Sequence, residues 1–151
     1  KGKYVYDFGD TGHLTPLVKM HTLGSTFIPP ATQSGGLRYH GMAPMVSHLK
    51  ELGIIEAKAF GQKECFEAGI KFANVEGIVP APEATHAVKG AIDAAIECKK
   101  NGKSKTILFN LCGHGHFDME AYSDYFENKL AEDVYNEVEV SKALEALPKI
   151  A

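Results

Sequence analysis

The sequence contains no run of 18 apolar residues, so no stretch of it reads as a membrane-crossing helix. Its first residues, Lys-Gly-Lys-Tyr-Val-Tyr, have none of the apolar character of a secretory leader. They also lack an initiating Met, and the expectation is a chain that has been processed, truncated or excised. The net charge is only −3, which excludes the strong one-sided charge suited to nucleic acid or an anionic membrane. Cysteine is scarce. Cys65, Cys98 and Cys112 are odd in number and widely spaced, so no disulfide framework is expected. Cys65 and Cys98 fall on apolar helix faces and read as small buried hydrophobes, and a reducing, cytoplasmic setting is the expectation. No internal repeat or low-complexity tract interrupts the chain. What is present is 151 residues, 44% hydrophobic and 23% charged, enough for one globular domain, 1–151, with its own core.

The first half is rich in Gly, Pro and Thr. Residues 3–8 are aromatic and β-branched and read as a strand, closed by the turn-like Gly9-Asp10-Thr11-Gly12. Residues 15–24 (TPLVKMHTLG) read as a short helix stopped by Gly24. Pro29-Pro30 breaks regularity, and 31–41 reads as a long loop, a common seat of function. From Ala43 a helix carries Met45, Val46, Leu49 and Leu52 on one face and stops at Gly53. A strand is expected over 54–60. A helix over 62–76 follows, with Cys65, Phe66, Gly69, Ile70 and Ala73 as its stripe and Gly77 at its end. Residues 78–83 (IVPAPE) are extended, and Thr85 is the expected N-cap of a helix reaching Lys100. The apolar run 106–111 (TILFNL) has the composition of a strand buried on both faces. Asp118 caps a helix from Met119 to about Leu130, and a last helix covers about 138–147. This alternation predicts an α/β fold, a mostly parallel sheet flanked by helices in three layers.

Three segments carry candidate chemistry. The loop 112–117 (CGHGHF) lies between an expected strand and helix, where open α/β sheets bind ligands. Its glycines permit close backbone approach, and the following helix N-terminus favours anions or electron-rich groups. The same loop contains His114, His116 and Asp118, an H-x-H-x-D pattern of zinc-ligand types. That opens the alternative of a metal-dependent hydrolase, although Met119 stands where such a motif continues with His. Glu83 follows the stiff Pro80-Ala81-Pro82 and opens a helix, with His86 near enough in sequence to pair with it. The loop Gln33-Ser-Gly-Gly-Leu-Arg-Tyr-His40 sets Arg38, Tyr39 and His40 beside two glycines and suits a carboxylate ligand.

Three longer stretches together carry a resemblance: GGLRYHGMAP (35–44), EGIVPAPEATHA (76–87) and ILFNLCGHGHFD (107–118). In order, and with the opening YDFGDTGHLTPLVKM, they resemble the final third of the tryptophan synthase beta chain, type 2 branch. The resemblance implies part of the C-terminal lobe of a two-lobed, fold-type II enzyme dependent on pyridoxal 5′-phosphate (PLP). PLP acts there as the electron sink for joining L-serine and indole into L-tryptophan. It further implies that Cys112, where the family usually has Ser, faces the pyridine nitrogen. Gly113 would lie beside it, Glu83 would be the acidic residue near the cofactor, and the Gly36 backbone would line the pocket. Arg38 and His40 fall on the substrate side, and Tyr39 and Gly41 match backbone carbonyls of a monovalent-cation site. Arg38 replaces an Asp of the classic branch, which fits type 2 and leaves the classic handling of serine and indole open. Cys112 for Ser implies a longer, weaker bond to the ring.

The family's Schiff-base lysine, in a His-Lys-x-Asn context, does not occur in these 151 residues, nor does its phosphate loop Gly-Gly-Gly-Ser-Asn. The expectation is a chain that is inactive alone and needs the N-terminal part of its parent. Apolar surface made for that part predicts self-association as a homodimer. The type 2 branch is less tied to the usual alpha subunit, which leaves that partner open. A module that binds a ligand without catalysis is the remaining alternative.

Overall fold

The computed structural model describes residues 2–131 and 135–149. The chain divides into two compact units. The first comprises Lys1–Pro30, Arg38–Ala57 and Val134–Ala151, and the second Ala31–Leu37 and Lys58–Asp133.

The first unit is built on a hairpin. Strand β1 (Lys3–Phe8) pairs antiparallel with β2 (Leu17–Thr22), in register from Lys3 opposite Thr22 to Phe8 opposite Leu17. The short helix expected over 15–24 is therefore not formed. Along β2 the burial alternates, with Met20 and Thr22 buried and Lys19 exposed, the two-residue period of a strand. A cross-strand partner made this period decisive over helix propensity. The connecting turn is organised by Asp10, whose Oδ1 accepts from the Leu14 and Thr15 amides at 3.0 and 2.9 Å and from the Thr15 hydroxyl at 2.7 Å. The Leu14 amide, then the Thr15 hydroxyl and amide, hold the Asp10 carboxyl down to about 2. Inside the hairpin the carboxylate of Asp7 is fully buried. It accepts from the Thr22 hydroxyl at 2.7 Å and from the Phe8 amide at 2.8 Å, which offsets its desolvation.

Helix α1 (Pro44–Glu51) begins with Pro at its first position and buries only Ser47. The Ser47 hydroxyl accepts from the His21 amide at 3.0 Å and ties α1 to β2. The apolar stripe expected to face a core is instead on the surface: Met45, Val46 and Leu52 are all exposed. The last helix of this unit, labelled α5 (Glu137–Glu145), is capped by Asn136, whose side chain accepts from Val138 N and Glu139 N. Its Val140 and Ala143 pack with Phe27, Leu23 and Leu144.

The second unit is helical. Helix α2 (Gln62–Glu76) starts with the Glu64 carboxylate accepting from Gly61 N at 2.8 Å and ends on Gly77 at φ 71°, as its composition predicts. Its stripe of Cys65, Phe66 and Gly69 is buried. Helix α3 (Pro82–Lys100) packs on it, burying Ala84, Thr85 and Val88. Gly69 permits the closest approach: a Cβ there would sit 2.6 Å from Thr85 Cγ2. Helix α4 (Met119–Phe126) adds Ala121 and Tyr122 to a core with Phe66 and Leu130. It stops four residues short of its expected end. Asp118 stands at its N-cap but makes no side-chain cap bond.

Two expected strands are absent among the described residues. Neither 54–60 nor 106–111 joins a ladder, and the sole sheet there is the hairpin β1–β2. Among the described residues the architecture is small α/β, with five α-helices and one two-stranded antiparallel sheet. The three-layer parallel sheet is not formed within it. A parallel strand requires a hydrogen-bonded neighbour. Segment 106–111 has none here, and Leu108 is 94% exposed. Among the described residues no helix is long and apolar enough to cross a membrane.

The packing of α5 against residues 23–27 rests on Gly24, at φ 100°, where a Cβ would lie 2.5 Å from the Ala143 carbonyl oxygen. Gly24→Ala should cost about 3 kcal/mol in urea unfolding, because strain and collision add. Gly53→Ala, at φ 70° with nothing within 4 Å, should cost about 1 kcal/mol. Equal losses in the two variants would contradict this packing.

Candidate functional site

The second unit brings three distant segments together. The first is the 3-10 turn Gly35–Leu37, closed by Leu37 N donating to Ser34 O at 2.9 Å. The second is the extended lead into α3. Pro80, Ala81 and Pro82 restrict this backbone, so the helix starts at Pro82 with Ala81 as N-cap. Thr85 is therefore inside the first turn and not the cap. Its hydroxyl donates to the Pro82 carbonyl at 2.6 Å. The third is the loop of residues 112–117.

The second and third segments pair as a short antiparallel strap. Pro80 bridges His114, Ala81 N donates to Gly113 O at 2.9 Å, and Gly115 N donates to Val79 O at 2.7 Å. Glycine is required at 115, where a Cβ would stand 2.6 Å from the Pro80 carbonyl oxygen. The same carbonyl accepts from the Tyr122 hydroxyl at 2.5 Å. Burial, and secondarily the charge of Asp118, push the Tyr122 phenol up to about 12, so it remains a donor throughout the neutral range. The sequence reading missed Tyr122. Its signal was a tyrosine on the apolar face of a short helix, which needs a partner for its hydroxyl.

The first segment joins through Glu83. Its Oε1 accepts from Gly36 N at 2.7 Å. Gly36, Glu83 and Gly113 thus belong to one constellation built on the N-terminus of α3. Cys112 precedes Gly113 with its side chain exposed. Ser34, 3% exposed, has a hydroxyl with no partner among the described residues. His86 does not pair with Glu83; its Nδ1 lies 3.1 Å from the Pro82 carbonyl.

The H-x-H-x-D pattern does not form a metal set. Among the described residues no group of three or more His, Cys, Asp or Glu is placed to hold an ion. The His114 Nδ1 accepts from His116 N at 3.2 Å, and the two rings meet edge to face at 4.6 Å. This uses a lone pair that a metal would need.

Arg38, Tyr39, His40 and Gly41 lie in the first unit. Arg38 is exposed and reaches the Pro29 carbonyl at 3.4 Å. His40 Nε2 lies 2.9 Å from the Phe8 carbonyl, so that nitrogen carries the proton. Gly41 bridges Thr22, with His40 O and His21 O as the accepting carbonyls.

No family model matches the chain. Curated relatives do. It is 58% identical over 130 residues to tryptophan synthase beta chain 2 of Methanosarcina mazei, covering 86% of this chain and 29% of that protein. The protein of the same name from Aquifex aeolicus is 57% identical over 132 residues, 87% of this chain and 30% of its own length. That of Pyrococcus furiosus is 50% identical over 148 residues, 98% of this chain and 33% of its own. This chain belongs to the tryptophan synthase beta chain family. It spans about a third or less of these relatives' length. All three stretches that resemble the tryptophan synthase beta chain contribute a described contact: Gly36 from the first, Glu83 from the second, Gly113 from the third.

Tyr122 gives the strap a pH signature. Its phenol is raised from 10.0 to about 12, so folding favours the protonated form. The stabilisation is complete below pH 10 and declines as the pH rises toward 12. Tyr122→Phe should lose about 2 kcal/mol at neutral pH. Its deficit against the wild type should shrink above pH 10 in urea unfolding. A deficit that stays constant to pH 12 would exclude this role.

Proposed function

We propose that this chain is the cofactor-side, C-terminal lobe of a type 2 tryptophan synthase beta chain. The complete polypeptide would condense L-serine and indole to L-tryptophan by PLP-dependent β-replacement. The observation that carries this reading is the convergence of Gly36, Glu83 and Gly113, from three separate family-like stretches, in one compact unit. The exposed apolar segment 106–111 supports it. Residues such as Leu108 and Phe117, 94% and 93% exposed, suit burial against the rest of a longer parent chain. There 106–111 would enter the mostly parallel, three-layer sheet of the fold-type II lobe, in which 1–151 forms one domain.

The residues present fit PLP. Gly36 and Gly113 offer backbone where a side chain would intrude: their Cβ atoms would lie 3.0 Å from Glu83 Cγ and 3.1 Å from Ala81 Cβ. Cys112 supplies a neutral, exposed thiol, which can face a pyridine nitrogen without protonating it. When bound, PLP supplies an electron sink for cleavage and formation of bonds at the β-carbon of serine. Cys112 would orient the ring through its nitrogen and keep it unprotonated. Gly113 and Gly36 would border the ring closely enough to exclude water, and Glu83 would place a carboxylate at its edge. On the substrate side, Arg38 would pair with the serine carboxylate and His40 would hold the loop through Phe8. The carbonyls of Tyr39 and Gly41, which are not the acceptors in the Thr22 bridge, would serve a monovalent cation. The assembly would be a cytoplasmic homodimer, with an alpha subunit as an optional partner.

The full-length polypeptide should form L-tryptophan from serine and indole when supplied with PLP. The 151-residue chain alone should form none and should lose its PLP absorbance on desalting. Full-length protein that binds PLP but consumes neither serine nor indole would overturn the reading.

A further inference from the structure

The three nearest neighbours of a Cβ built on Gly36 all belong to one side chain. Glu83 Cγ, Oε1 and Cδ would stand at 3.0, 3.1 and 3.4 Å. The amide of the same glycine donates to Glu83 Oε1 at 2.7 Å. Gly36 therefore contacts Glu83 twice, by its amide and by the absence of its side chain. The other carboxylate oxygen, Oε2, makes no hydrogen bond among the described residues. Glu83 stands at the second position of α3 behind two prolines, so its backbone is already fixed. Its side chain is held from another segment, through the Gly36 amide.

We infer that Gly36 is a positioning residue that acts through Glu83: its amide anchors Oε1 and leaves Oε2 as the oxygen presented to the cofactor. This deepens the proposed function and rests on that reading. A methyl group at residue 36 would press on Glu83 and shift its carboxylate by a few tenths of an ångström. Glu83 is flexible enough to swing aside, so the substitution displaces the carboxylate without unfolding the unit. Gly36 thereby differs from Gly115, whose Cβ would meet a fixed backbone carbonyl. A glycine serving only as close wall for the cofactor would act independently of residue 83.

A double-substitution series in the full-length polypeptide separates these roles, read by PLP titration with absorbance and fluorescence. Gly36→Ala and Glu83→Ala should each weaken PLP binding by about tenfold, the loss of one polar contact. The double variant should bind no more weakly than Glu83→Ala, because the methyl group then meets nothing. Losses that multiply would overturn the inference and assign Gly36 to the cofactor directly. Wild-type affinity in Gly36→Ala with weak binding in Glu83→Ala would also overturn it. Wild-type affinity in Glu83→Ala would sink the cofactor reading of Glu83 itself. The anchoring contact is then judged by amide exchange over residues 33–37. That exchange should quicken in Glu83→Ala, and unchanged rates would refute the anchor.

Discussion

The antiparallel strap of residues 79–81 against 113–115 is the contact on which the site of the second unit depends. Two backbone hydrogen bonds make it, and the Tyr122 hydroxyl closes it on the Pro80 carbonyl. Each flanking element gains its position from this pairing. Pro82 starts α3 immediately after the strap, which puts Glu83 in the first turn of that helix. Gly115 leads through a bond from Asp118 N to Gly115 O into α4, whose Tyr122 returns to the strap. Buried polar groups are costly unless paired, so the closed circuit of Pro80, Gly115 and Tyr122 admits little variation. Glycine and proline perform opposite tasks in it. Glycine allows backbones to approach to within a side chain's breadth, and proline removes the freedom that approach would otherwise cost.

The constellation is chemically mixed. It combines an exposed thiol, a half-buried carboxylate with one anchored oxygen, and glycine backbone in close contact with its neighbours. No metal set accompanies it among the described residues. The chain covers only about 30% of the length of its curated relatives.

Helices stopped by glycine were legible from composition. Gly77 and Gly53 take left-handed angles, and α2 runs from Gln62 to Glu76 as its periodicity predicts. Strands were less legible because a strand is a relation between two segments. Residues 17–22 became a strand through Lys3–Phe8, whereas 106–111, with stronger apolar character, found no strand partner among the described residues. The first turn of α3 shows the same limit at finer scale. Thr85 resembles an N-cap, yet Pro82 is suited to the first helical position and the hydroxyl of Thr85 turns inward. Glu83, Gly113 and Gly36, singled out through long motifs, are brought together in the second unit. The bond between Gly36 and Glu83 crosses 47 positions, and local pattern carries no trace of it. Tyr122 stayed hidden because its role lies in one hydroxyl.

The central claim, that the strap organises the site, is tested most directly by residue-resolved amide exchange of Ala81 and Gly115 in the wild type and in Tyr122→Phe. The account predicts that both amides are protected together and that both lose protection together when the Tyr122 hydroxyl is removed. Exchange of either amide at the rate of an open loop in the wild type, or protection of the two that responds independently, would contradict it.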